Sequence, residues 1–205
     1  MNFKKYILIF LGVFSLLPSI CFADKPNFQK IWEFELDYKD YRNTVQSQPK
    51  EFEGLLLFVD GIGHLIALDK KFGTLVYRIK LGKGVGRRGF TIDETIGQIA
   101  ITAGSTLFIL DAKSGSILNQ TKTNFSVAAP IITSECVVVF GAGDGTVQCH
   151  SRNLKEIFWQ TKLGNTARVW SNVLWSKKHN KLYLVTSNAG GLVAENRGPD
   201  TYSSS

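Results

Sequence analysis

The 205 residues include 24 Lys and Arg against 17 Asp and Glu, a formal charge of +7, and this length suits one domain, or two small ones, with a buried core. The basic residues are scattered through expected strands and turns with no basic helix among them, which speaks against nucleic acid and for a solvated surface. There is no C-x-x-C-H haem attachment, no zinc cluster among His64, His150 and His179, and no nucleophile–base pair.

Residues 1–23 read as a cleaved secretory signal. Lys4 and Lys5 form a basic n-region, Tyr6 to Leu17 an apolar run short for a membrane span, and Cys21-Phe22-Ala23 a cleavage site ahead of Asp24. A lipoprotein signal on Cys21 would want a small residue where bulky Ile20 stands. Removal of this segment takes away two lysines and no acids, so the charge falls to +5. The mature chain is expected in the periplasm or outside the cell, with no transmembrane span after cleavage.

Residues 24–53 form an N-terminal segment in which Trp32 of "KIWEFELD" sits on an outer strand, followed by a polar loop ending "TVQSQPK". From residue 54 on, short apolar runs alternate with Gly, Asp, Asn and Ser turns: 55–59, 64–68, 74–79, 98–102, 106–110, 137–140 and 181–186. No later segment of twelve residues sustains a helical period, so the expected class is all-β.

These runs repeat. Ala67-Leu68-Asp69, Gly73 and Tyr77 recur 42 residues on as Ile109-Leu110-Asp111, Gly115 and Asn119, and an eroded third copy runs Cys149-His150-Ser151, Lys155, Trp159. A β-unit of roughly 40 residues points to propeller blades. In each, a strand ends in Asp, a tight turn closes on Gly, and the next strand carries an aromatic. Asp69 and Asp111 are expected to accept hydrogen bonds from turn N–H groups, and Gly73 and Gly115 to take φ > 0. Trp32, Tyr77 and Trp159 are expected to pack between neighbouring blades.

Two local patterns need separate treatment. Gly84-Val85-Gly86-Arg87-Arg88-Gly89 matches the G-x-G-x-x-G dinucleotide fingerprint, but no helix follows it and Phe90-Thr91-Ile92 runs toward another strand, so the match is a glycine-rich loop. Cys136 and Cys149 flank the hairpin turn 141–145 nearly opposite each other. They close a disulfide or remain buried thiols, since a slip of one residue would send them to different faces.

The units resemble the tryptophan-docking repeats of the quinoprotein dehydrogenases, whose pattern is Ala-x-Asp-x-x-Thr-Gly-x-x-x-Trp; "ALDKKFGTLVY" and "ILDAKSGSILN" match most of it. "RRGFTIDETIGQIAITAGSTLFILDAKSG" is similar to the family segment whose arginine pairs with a carboxylate of pyrroloquinoline quinone, which implies that role for Arg88. A guanidinium fork suits a planar tricarboxylate. The stretch from Val169 to Ser205 resembles a second family segment. It implies that Trp170 supplies the face on which the quinone lies, and that the amide oxygen of Asn188 binds calcium, which polarises the quinone carbonyl.

Departures accompany the likeness. The family's acidic calcium ligand has no direct counterpart in "FGAGDGTVQCHS", where Asp144 stands in only if the loop is realigned. Val127 and Arg168 replace the family's hydrogen-bonding hydroxyls, and no vicinal cysteine pair exists. The 182 residues after the signal suffice for about four four-stranded antiparallel blades, against the family's eight, and end before the segment carrying the catalytic aspartate, so no catalytic residue is assigned. The resemblance therefore implies a partial β-propeller over residues 54–205: the N-terminal part of a periplasmic dehydrogenase that oxidises an alcohol or sugar and passes electrons to a periplasmic acceptor, inactive as this chain alone. The same repeats also serve non-catalytic envelope scaffolds.

Overall fold

The computed structural model describes residues 29–36, 45, 47–82, 89–124, 129–141, 145–162, 174–176, 178, 181–185 and 192–195. All regular structure among them is β-strand. The chain divides into two compact units, Met1–Glu33 and Phe34–Ser205. In the first, Lys30 pairs with Glu33 on the surface. The second holds all the sheets.

Four antiparallel meanders follow one another along the second unit. The first takes β1 (Lys50–Phe52), β2 (Leu55–Val59), β3 (His64–Asp69) and β4 (Leu75–Lys80) in that order. The next takes β5 (Thr91–Asp93), β6 (Gln98–Ala103), β7 (Thr106–Asp111) and β8 (Ile117–Lys122). β9 (Ile131–Ile132), β10 (Val137–Phe140), β11 (Thr146–His150) and β12 (Ile157–Lys162) make the third, and β13 (Leu174–Ser176), β14 (Lys181–Val185) and β15 (Leu192–Glu195) the fourth, which has three strands among the described residues. The first sheet thus begins four residues ahead of residue 54, where Phe52 buries its ring in the core. Residues 31–36 carry no strand.

The middle strands bury residues on both faces, mostly apolar ones, although β11 also buries Thr146, Gln148 and His150. Leu57, Val59, Leu65 and Ala67 of the first sheet share a cluster with Ile99, Ile101, Phe108 and Leu110 of the second. Their neighbours of opposite parity, Ala100, Leu107 and Ile109, pack with Ile132, Val137, Val139 and Leu154 of the third. Val138, Phe140 and Val147 then face Trp175 and Leu182 of the fourth. Period-2 alternation assigns one set to each side. Each fully buried Leu or Ile contributes roughly 1.5–3 kcal/mol of transfer free energy.

The turn chemistry follows the repeat. Asp69 Oδ1 accepts from the N–H groups of Lys71 (2.9 Å) and Phe72 (2.8 Å), and Asp111 Oδ1 from that of Ser114 (2.7 Å). Gly73 and Gly115 take φ of 69° and 73°. In the third copy Lys155 occupies the glycine position, and the left-handed residue moves one place back to Leu154 (φ 59°), whose N–H donates to Ser151 O. Each outer strand then carries a bulge at the same place: pairing passes from Tyr77 to Leu75, from Asn119 to Ile117 and from Trp159 to Ile157, so that Val76, Leu118 and Phe158 are the extra residues of the three bulges.

Cys136 and Cys149 form a disulfide, with Cα atoms 5.7 Å apart. Val138 is the cross-strand partner of Cys149, so Cys136, two residues before Val138, lies on the same face as a diagonal neighbour. Both cysteines belong to the cluster between the third and fourth sheets.

Candidate functional site: the inner cavity and the inter-sheet docking

Tyr77 is the clearest functional element of the repeat. Its ring, on the outer strand of the first sheet, lies against Gly115 in the turn of the second, and its hydroxyl donates to Ala112 O at 2.9 Å. A Cβ on Gly115 would stand 2.8 Å from two ring carbons of Tyr77 and 2.2 Å from Ile79 Cδ1. Glycine is therefore required there twice over, for the left-handed turn and for the approach of the ring. Burial first, and then the Asp111 carboxylate, push the Tyr77 hydroxyl well above the ordinary tyrosine range. Asn119 stands at the equivalent place one sheet on, and with its amide turned so that the nitrogen faces the carbonyls it donates to Leu118 O at 3.1 Å and Asn153 O at 3.2 Å. Trp159 packs against the next interface with Trp175 and Leu182. Trp32 belongs to the other compact unit.

The first strand of every sheet lines one cavity of about 1010 Å³, through Lys50 on β1, Thr91 and Ile92 on β5, Ile131 and Ile132 on β9 and Trp175 on β13. The turns that follow β5 and β9 line one end with Glu94, Thr95, Ser134 and Glu135. Arg152 reaches this end from the third sheet, with Nη1 donating to Asp93 Oδ2 at 2.6 Å and Nη2 to the carbonyls of Thr133 and Ser134. Burial alone would raise the Asp93 carboxyl, but the Arg152 hydrogen bond, the Thr95 N–H at 3.0 Å and the guanidinium charge together hold it below the usual carboxylate range.

Lys50 stands toward the other end. Its Nζ lies 5.5 Å from the centroid of the buried Phe90 ring, and burial lowers its proton affinity. No described carboxylate forms an ion pair with it.

Arg88, Trp170, Asn188 and Asp144, the residues singled out in the sequence, lie outside the described residues. The described neighbours of Arg88, Gly89 and Phe90, lead into β5 at the end away from its turn with β6. No group of three or more metal-ligating side chains occurs among the described residues. For a planar carboxylated cofactor, the described walls supply room, an aromatic side chain in Trp175 and one cation in Lys50. Sequence reasoning missed both of these residues. Lys50 closes what reads as a polar loop, and Trp175 is marked out only by the inner strand β13 that carries it.

Successive antiparallel meanders stacked face to face, with their first strands around a shared cavity, define a partial β-propeller of the docking-repeat type. No protein-family model and no curated protein sequence matches the chain. Among solved structures it is similar to BamB from Moraxella catarrhalis, with 20% identity and a TM-score of 0.57 over 74% of this chain and 46% of that one. It is also similar to the quinohemoprotein alcohol dehydrogenase ADHIIG from Pseudomonas putida HK5, with 16% identity and a TM-score of 0.60 over 75% of this chain and 29% of that one. The computationally designed Ika4 protein matches with 12% identity and a TM-score of 0.63, over 82% of this chain and 99% of that one. BamB and the dehydrogenase are both propeller proteins, of which this chain spans less than half the length.

Proposed function

We propose that the chain is part of an exported quinoprotein dehydrogenase, which in its complete ring oxidises an alcohol or sugar with pyrroloquinoline quinone and calcium and passes the electrons to a periplasmic acceptor. The observation that carries this reading is a cavity framed by the first strands of successive docking repeats, with an aromatic wall and a cation in it. The fold likeness to a quinohemoprotein alcohol dehydrogenase supports it. So does the disulfide, since such bonds persist in oxidising compartments.

In this reading Arg88 pairs with a carboxylate of the quinone, Trp170 carries its ring, and Asn188 with Asp144 contributes calcium ligands. Calcium bound there would polarise the quinone carbonyl for attack by hydride or alcohol. Comparing quinone affinity of the wild-type chain with that of Arg88→Ala and Trp170→Ala tests the assignment: both are expected to weaken binding at least tenfold, and unchanged affinity in both would refute it.

A second reading, a non-catalytic envelope scaffold, is favoured by the likeness to BamB. It predicts a folded chain indifferent to quinone and calcium.

A further inference from the structure

We infer that His150 makes the joint between the second and third sheets a pH-sensitive switch, closed while the imidazole is neutral and opened by its protonation in mild acid. The internal repeat exposes the anomaly. Cys149-His150-Ser151 occupies the place of Ala67-Leu68-Asp69 and Ile109-Leu110-Asp111, so His150 stands where the first two sheets bury Leu68 and Leu110. Gln148 likewise stands where they bury Ile66 and Phe108. Two polar groups thus replace two apolar ones at a covered face, at a cost that only hydrogen bonds offset.

Those bonds hold a neutral ring. His150 is the cross-strand partner of Val137 and Gln148 of Val139, so both side chains point with the valines toward Ala100, Leu107 and Ile109 of the second sheet. Gln148 Nε2 donates to Gln160 Oε1 at 2.6 Å, which leaves Gln148 Oε1 to face the ring. His150 Nε2 lies 3.0 Å from that oxygen and carries the proton of the neutral form. A second proton goes to Nδ1, which meets no acceptor among the described residues.

Nor does the joint offer a counter-ion. Asp93 of β5 is engaged by Arg152, and Asp111 at the end of β7 accepts from the N–H groups of its own turn. Lys162, on the same face of β12, adds positive charge, while Lys155 and Glu156 are exposed on the turn before that strand. β6, β9 and β10 present Ala100, Ile132, Val137 and Val139, and β8 presents the uncharged Asn119 and Thr121. Burial accordingly lowers the proton affinity of His150. Above the ordinary histidine value, about 6.5, the ring is neutral in closed and open forms alike and the joint keeps its full stability. As pH falls through that value, the open form takes up a proton that the closed joint refuses, and closure weakens. β5 and β9, which line the inner cavity, meet at the same joint, where Thr91 Oγ1 donates to Pro130 O, so opening couples acidity to the cavity.

Amide hydrogen exchange of the full chain between pH 7.5 and 5.5, corrected for the intrinsic rates and read by peptide mass spectrometry, tests this against His150→Leu, which installs the residue of the other two repeats. From pH 6.5 to 5.5, opening at β8, β11 and β12 is expected to increase about three- to sixfold more in wild type than in the variant, as one withheld proton requires. Peptides from β2 and β3 of the first sheet should show no such difference. Exchange of the His150 ring Cε1–H in the wild-type chain should also titrate below the ordinary histidine value, a readout that needs no variant to fold. The same pH dependence in both chains, a difference spread equally over the first sheet, or an ordinary or raised His150 titration would overturn the inference.

Discussion

Replacing Gly115 by alanine probes the device that joins one sheet to the next. Two penalties combine. At φ 73° a Cβ costs about 1–2 kcal/mol relative to glycine. The new methyl would also lie 2.8 Å from the Tyr77 ring and 2.2 Å from Ile79 Cδ1. Ile79 can turn its terminal methyl aside, but Tyr77 is tethered by its 2.9 Å hydrogen bond to Ala112 O and must give up that bond to move. Overpacking of this kind costs roughly 1–3 kcal/mol, so the sum is about 2–5 kcal/mol, or roughly 4–20 °C in Tm for a chain of this size. Gly104→Ala is the control: φ is 61°, but nothing lies within 4 Å of the added Cβ, so only the backbone penalty applies. Thermal and urea unfolding of the two variants should differ by about 1–3 kcal/mol. The difference should disappear in a Tyr77→Ala background, where the ring is gone. Equal destabilisation by the two alanines, with Tyr77 in place, would refute the docking account.

Three further outcomes follow from the same geometry. Because burial and Asp111 raise the Tyr77 hydroxyl, the fold binds that proton more tightly than the unfolded chain; the associated stability is complete below the ordinary tyrosine value and is lost as pH rises above about 10, so alkaline melts of Tyr77→Phe should decline less steeply than wild type. Arg152→Met leaves the largely buried Asp93 carboxylate and the Thr133 carbonyl without their guanidinium and should cost about 1–3 kcal/mol in urea unfolding, with no effect expected from Lys155→Met beside it. Exported protein should carry the Cys136–Cys149 bond, visible as a mass gain of about 2 Da on reduction, and the double serine variant should lose about 2–4 kcal/mol.

Much of the architecture was legible because its signals are local. The Asp-to-Gly turns at Asp69 and Asp111 and the strands around them follow from propensity and a repeat, and each behaves in the structure as its residues dictate. The start of the first sheet at Lys50 was not legible, since Lys-Glu-Phe is too short and polar to read as a strand and is fixed by the burial of Phe52 and pairing with β2. The disulfide needed a register that turn counting could not supply to within one residue. Lys50, Trp175 and the Arg152–Asp93 pair, whose members are 59 residues apart, come together only when the sheets stack, and no spacing in the sequence announces such a meeting. Arg88, Trp170, Asn188 and Asp144 remain assignments by resemblance.

Titration of the purified, exported chain with pyrroloquinoline quinone in calcium and then in EGTA, followed by the quinone's visible absorbance, is the most direct measurement of the central claim. An incomplete shell that lacks several charge-assisted contacts, each worth about 1.5–3 kcal/mol, should still bind, weakly and only with calcium, saturating at micromolar to millimolar quinone. A folded chain whose addition leaves the quinone spectrum unchanged at millimolar concentration, or changes it equally in EGTA, would contradict the claim.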